Sequence, residues 1–169
     1  MKQLLRIFFD IAILRRGPQD LPASHTLVWL VSAAYLMVSA VQSMMRGWDA
    51  STTLVLLVLD IGMQAVWLWA LLVFFAKRSR FLQTFSAFMG VNALLTVMDI
   101  AVTAVQALLG MATTYVANPW HMVSLCIMLL TLGRILQQAL ERGSFLCMAL
   151  TLVIMVTIAF AAQVIVPGL

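Results

Sequence analysis

The sequence predicts an all-α integral membrane protein, a bundle of five transmembrane helices preceded by an amphipathic helix at the membrane surface. First, 64% of the 169 residues are hydrophobic and only 9% are charged, which is far from the usage of soluble globular domains. Second, apolar segments of about twenty residues or more, the length that crosses a hydrocarbon core of ~30 Å, recur along the chain. Third, most of the ten basic residues stand at the ends of these segments, as membrane anchors do.

Residues 1–16 predict an interfacial amphipathic helix rather than a span. The segment is too short to cross a bilayer. Gln3, Arg6 and Asp10 fall on one face at helical spacing, and apolar residues cover the remainder. The two prolines and one glycine within residues 17–22 then forbid a continuous helix and predict a turn into the bundle.

The bundle covers residues 24–166, with predicted spans at 26–45, 52–76, 81–109, 120–140 and 145–166. Residues 46–51 supply a glycine, an interfacial tryptophan and a serine suited to capping the next helix. Residues 77–80 form a short basic turn. Residues 110–118 carry no charge and end in Asn-Pro, so Pro119 falls in the first turn of the fourth span. Residues 141–144 predict a sharp turn before the last span.

The basic residues predict the orientation. With five spans, nine of the ten Lys and Arg residues fall on the side of the N-terminus, and only Arg46 falls on the other side. The positive-inside rule then predicts a multi-pass protein of the bacterial inner (cytoplasmic) membrane, with a cytoplasmic N-terminus and a periplasmic C-terminus. The residues expected to bind the membrane surface are Lys2, Arg6, Arg15, Arg16, Lys77, Arg78 and Arg80.

Asp60 and Asp99 lie inside the second and third predicted spans. An ionised carboxylate in the hydrocarbon region costs several kcal/mol, so each must face inward, hold a proton or be paired. Folding the chain back about Ser79 places the two acids opposite each other at one depth, as a carboxylate dyad. Such a dyad predicts either a proton or cation site, or a hydrogen-bonded contact that joins the two helices.

A stripe of polar residues runs along the third predicted span. Asn92, Asp99 and Gln106 recur at seven-residue spacing, which puts them on one face of a helix that must turn away from lipid. Arg134, near the cytoplasmic end of the fourth span, either extends its side chain to the interface or pairs with an acid. The candidate intramembrane polar site consists of Asp60, Gln64, Asn92, Asp99, Thr103, Gln106 and Arg134.

Other classes of protein lack support in the sequence. The two histidines and two cysteines have no ligand spacing, so we expect no metal site. Cys126 and Cys147 fall within predicted spans and are expected to be packing residues. Without a nucleophile elbow, phosphate-binding loop or dinucleotide fingerprint, we expect no catalytic residue, no cofactor and no enzyme activity. The net charge is +4, but the sequence has no basic patch with interleaved aromatic residues of the kind that binds nucleic acid.

Two short motifs and the layout of the helices carry a resemblance to a known family. The motifs are Gly17-Pro18-Gln19-Asp20-Leu21-Pro22 before the first span and Glu141-Arg142-Gly143-Ser144-Phe145 at the last. With them the chain resembles bacterial membrane proteins of the Yip family, named for Ypt-interacting proteins. The resemblance implies a small polytopic protein that acts through partner binding or membrane organisation, and it brings no catalytic residues.

These observations predict a non-enzymatic inner-membrane accessory or scaffold protein. It would act through helix–helix association with itself or with another membrane protein in the lipid bilayer. The alternative is a small transporter or channel subunit that uses Asp60 and Asp99 as a proton or cation site.

Overall fold

A computed structural model describes residues 2–13, 15–110 and 119–166, together with the side chains in these ranges except those of residues 2–5, 119 and 121. The described chain is all-α, as predicted. Its helices are α1 Lys2–Ala12, α2 His25–Met45, α3 Ala50–Phe74, α4 Phe81–Leu108, α5 Pro119–Leu140 and α6 Ser144–Ile165, with short 3-10 turns at Pro18–Asp20 and Arg78–Arg80. The helices α2 to α6 match the predicted spans to within about two residues at each end.

Five helices of the described chain, α2 to α6, are long and apolar enough to cross a membrane. Their candidate spans contain 19 to 31 residues, and nineteen residues of α-helix already extend about 28 Å. Apolar side chains cover much of the outer surface, with Trp29, Phe74 and Phe145 each more than three-quarters exposed. A lipid-facing surface has this composition, because a bilayer solvates apolar groups.

The helix α4 forms the centre of the bundle. It packs most extensively on α2 and also contacts α1, α3 and α5. Every residue from Thr84 to Asn92 is buried, so this part of α4 is enclosed on all sides. The remaining large contact joins α5 to α6, where a Cβ atom on Gly133 would lie 3.3 Å from the Cα atom of Met148. Small residues at such crossings let two helix backbones approach closely.

The helix α1 packs on the bundle through its apolar face. Phe8 and Ile11 are buried, whereas Arg6 is exposed. The Phe8 ring lies so close to Gly90 of α4 that a Cβ atom there would be 2.3 Å from it. The helices α4 and α5 thus cover part of the apolar surface of α1, through Phe8 and Ile11, while Phe9 stays exposed. The interfacial position of α1 stays a prediction.

The N-cap of α3 is not the residue that the sequence suggested. Asp49, not Ser51, is the N-cap of α3, and its carboxylate accepts a hydrogen bond from the Thr52 backbone N–H at 3.0 Å. The helix α5 begins at Pro119, as predicted.

At the end of α3, Ala76 adopts a positive φ of 57°. Two backbone hydrogen bonds, Ala76 N–H to Val73 C=O and Lys77 N–H to Leu72 C=O, complete a Schellman motif there.

Candidate functional site

The side chains of Tyr35, Asp60, Gln64 and Asn92 form a hydrogen-bonded chain, called here the Asp60 cluster. The Tyr35 hydroxyl donates to Asp60 Oδ2 at 2.5 Å, and Gln64 Nε2 donates to the same oxygen at 2.9 Å. Asn92 Nδ2 then donates to Gln64 Oε1 at 3.0 Å. Since these residues come from α2, α3 and α4, the cluster joins three helices through polar contacts.

A second group, called here the Asp99 cluster, consists of Gln42, Arg46, Asp99 and Trp120. Gln42 Nε2 donates to Asp99 Oδ2 at 2.6 Å, and the indole N–H of Trp120 donates to Oδ1 at 3.0 Å. Arg46 Nη2 lies 3.8 Å from Oδ2. Both carboxylate oxygens of Asp99 therefore contact donors, and the cluster joins the end of α2, the second half of α4 and the start of α5.

The two acids do not form the predicted dyad, because they have different partners. Tyr35 and Gln42, which bind Asp60 and Asp99 respectively, are seven residues apart on α2, or about 10 Å along the helix axis. The prediction paired α3 with α4 because they are neighbours in the sequence. In the structure α4 packs mainly on α2. Asp99 therefore faces α2, a helix that folding the chain back about Ser79 did not include.

A cavity of about 240 Å³ lies beside the Asp60 cluster. Its polar lining residues are Asp60, Gln64 and Thr151. The rest of its wall is apolar and comes from α4, α5 and α6, namely Phe88, Leu125, Met128, Leu132, Ile154, Met155, Ile158 and Ala159. A largely apolar pocket with a few polar groups is the general form of a site for a small organic molecule.

The Asp60 cluster keeps unused hydrogen-bond acceptors. Both donors to Asp60 reach Oδ2, and no donor among the described residues reaches Oδ1. Asn92 Oδ1 is buried and also lacks a partner in the described part of the chain. A carboxylate has about four lone-pair sites, so Asp60 can accept further hydrogen bonds from a donor in the cavity.

The other predicted members of the polar site are dispersed. Thr103 lines a separate space of about 40 Å³ beside the Asp99 cluster, together with Gln42 and Arg46. Gln106 is partly buried farther along α4. Arg134 is exposed on α5, where its Nη1 donates to Gln137 Oε1 at 2.7 Å. The exposed side chain fits the first of its two expected roles, and no described ion pair joins Arg134 to Asp60 or Asp99.

The predicted surface-binding residues divide into two groups. Arg6, Arg15 and Arg16 are exposed, and Arg16 pairs with Asp10 at 3.3 Å, while the side chain of Lys2 is outside the described residues. Arg78 lies over the ring of Trp69, with 5.9 Å from its Cζ atom to the ring centroid.

Lys77 and Arg80 also bind within the protein. Each contacts the Glu141 carboxylate at 2.5 Å, and Arg80 donates to the carbonyls of Gln138 and Ala139 at the end of α5. The hydrogen bonds from Lys77 and Arg80 hold the pKa of the Glu141 carboxyl below its usual value. A cation at these carbonyls also complements the dipole of α5.

Four residues of the clusters were missed as site residues: Tyr35, Gln42, Arg46 and Trp120. Tyr35 and Gln42 are spaced by seven on α2, the same spacing as Asn92 and Asp99 on α4. Matching heptad spacing of polar residues on two apolar segments was the signal that could have paired α2 with α4. Trp120 stands at the end of a predicted span, a position typical of the interfacial aromatic belt, and a belt position does not reveal the partner of its indole N–H.

Among the described residues, no group of three or more His, Cys, Asp and Glu side chains could hold a metal ion. Comparison with protein-family models, with curated proteins and with solved structures gives no match to this chain.

Proposed function

We propose that this chain is a non-enzymatic accessory or scaffold protein of the bacterial inner membrane, acting by helix–helix association with itself or a partner. The observation that carries the proposal is that Asp60 and Asp99 both accept hydrogen bonds from side chains of neighbouring helices. Polar residues used in this way fix the arrangement of α2, α3 and α4 and leave apolar faces outward. The expected similarity to the Yip family stays a prediction of the same kind.

The proposed orientation has the N-terminus in the cytoplasm and the C-terminus in the periplasm. It is supported by the grouping of basic residues at one end of the bundle, where Lys77 and Arg80 meet Glu141 and Gly17 lies beside Gln138. A reporter enzyme that is active only in the periplasm, fused after Leu169, should be active. The same reporter inserted in the turn after Lys77 should be inactive, and the reverse pattern would overturn the orientation.

The association is tested with two differently labelled copies of the chain in lipid nanodiscs and in mild detergent. Energy transfer between the labels above that of a monomeric membrane protein at equal density, with a matching mass in native mass spectrometry, is the expected result for self-association. The scaffold function is contradicted if the chain is a monomer and no second membrane protein co-purifies with it in stoichiometric amount.

A second candidate function is a small transporter or channel subunit with a proton or cation site. The cavity beside Asp60 favours it, since no described residue donates to Asp60 Oδ1, whereas both oxygens of Asp99 contact donors. In proteoliposomes, Asp60→Asn should then abolish a pH-driven flux that Asp99→Asn retains. Equal flux in the parent and both variants would exclude this candidate.

A further inference from the structure

We propose that the cavity beside Asp60 is a binding site for a protonated lipophilic amine. The inference goes beyond both candidate functions, because a site can hold an amine whether or not the protein transports it. It rests on the volume of the cavity, the chemistry of its wall and Asp60 Oδ1, which no donor among the described residues reaches.

The acceptors that line the cavity match an ammonium group. Asp60 offers Oδ1, and Gln64 Oε1 accepts only from Asn92 among the described residues. Thr151 also lines the cavity, but its side chain is fully buried and its hydroxyl already donates to the Cys147 carbonyl. An ammonium group has three N–H donors and one positive charge, and it would supply a counter-charge that no described residue gives the Asp60 carboxylate.

The wall of the cavity argues against a metal ion. Calcium takes six to eight oxygen ligands and magnesium demands a near-octahedral set. This cavity has three oxygen-bearing side chains, and its other lining residues are hydrocarbon or thioether groups. Such a wall solvates an aliphatic or aromatic tail, so the bound cation should be organic.

The volume indicates how large a group the cavity itself can hold. About 240 Å³ corresponds to roughly eight water molecules at ~30 Å³ each. A chain of several methylene groups with one amine fits this space. A partner transmembrane helix does not, because its diameter with side chains is ~10 Å.

The test uses hexylamine as the probe, with hexan-1-ol as the uncharged control of equal chain length. Binding is measured by isothermal titration calorimetry with the full chain in nanodiscs of zwitterionic lipid, and heats from empty nanodiscs are subtracted. The expected result is saturable one-to-one binding of hexylamine to the parent, and at least tenfold weaker binding of hexan-1-ol.

Three variants locate the site. Asp60→Asn removes the counter-charge, and Ile154→Phe fills the cavity from a buried position on α6 while leaving Asp60 intact. Asp99→Asn removes a carboxylate that does not line this cavity. Loss of binding in the first two variants, with binding retained in the third, supports the proposal.

Hexylamine heats that do not saturate in the parent, or binding that survives in Ile154→Phe, overturn the proposal. If Asp60→Asn fails to fold, Ile154→Phe alone decides, since it leaves every polar group in place. Because this readout is binding, it is independent of the flux and association measurements above. The amine site can therefore fail while either candidate function stands, and the reverse also holds.

Discussion

Tyr35 of α2 donates its hydroxyl hydrogen to Asp60 of α3 at 2.5 Å, so the acid in the middle of one apolar helix is held by a phenol from the preceding helix. The same carboxylate oxygen accepts from Gln64 one turn away. The contact therefore joins a tertiary interaction between helices to an i, i+4 interaction within α3.

The first prediction concerns this contact. Tyr35→Phe should lower the free energy of unfolding by about 0.6 kcal/mol, the average for hydrogen bonds between membrane helices, and by at most ~1.7 kcal/mol. Titration with a denaturing detergent measures the change, and a double-mutant cycle with Asp60→Asn isolates the pair. The cycle of Tyr35→Phe with Asp99→Asn serves as the control and should be additive, because the two residues belong to different clusters. Equal coupling in both cycles would contradict the separation of the clusters.

The second prediction concerns the packing of α1 on α4. Gly90→Leu should displace the Phe8 ring, since even a Cβ atom at this position would lie 2.3 Å from it. Overpacking of this kind costs about 1–3 kcal/mol, so local opening of α1 should become roughly 5–150 times more frequent. A cysteine at Ile11, which is 1% exposed, reports the opening by its rate of thiol labelling once the native cysteines are replaced.

The matched control for α1 is Gly62→Leu, because Gly62 is exposed and a Cβ there would meet no described atom within 4 Å beyond its chain neighbours and the backbone of its own helix. Its labelling rate should equal that of the parent. An unchanged rate in Gly90→Leu would show that Phe8 and Gly90 do not hold α1 on the bundle.

The third prediction concerns the end of α3. Ala76 has φ 57°, a left-handed conformation that costs a residue with a Cβ about 1–2 kcal/mol. Ala76→Gly should therefore raise the free energy of unfolding by roughly 0.5–1 kcal/mol after the larger chain entropy of glycine is counted. Ala70→Gly, at an exposed position inside α3, should lower it by about 1 kcal/mol. The same sign for both substitutions in a detergent unfolding titration would contradict the Schellman motif at Ala76.

The fourth prediction concerns acid stability. Lys77 and Arg80 lower the pKa of Glu141 from its ordinary value of 4.5, so their interaction stabilises the folded state fully above that value. As the pH falls from 4.5 through the lowered pKa, the carboxylate takes up a proton and this contribution is lost. The difference in unfolding midpoint between the parent and Glu141→Gln should be constant at neutral pH and shrink in this acidic range. A difference that stays constant to the lowest pH would show that Glu141 is not paired in solution.

The helices could be predicted from the sequence because their signals are local. A run such as residues 52–76 is long, apolar and bounded by polar or basic turns, and the structure has α3 at Ala50–Phe74. The position of Asp99 could not be predicted, because the sequence gives no direct measure of which non-adjacent helices pack together. Its neighbours Gln42 and Trp120 lie 57 and 21 residues away along the chain. The close approach of Phe8 to Gly90 depends in the same way on a tertiary contact.

The helix α6 differs from its neighbours in how it is held. Within the described part of the chain, its side-chain hydrogen bonds from Thr151 and Thr157 stay inside α6, and its contacts with α5 and α3 depend on close fit, as at Gly133 and Met148. Van der Waals contacts are lost after a short displacement of one helix from another. Separating α2, α3 and α4 instead requires several hydrogen bonds to break together. A pulling force applied at the C-terminus should therefore extract α6 as a separate mechanical step, before the polar core of the bundle gives way.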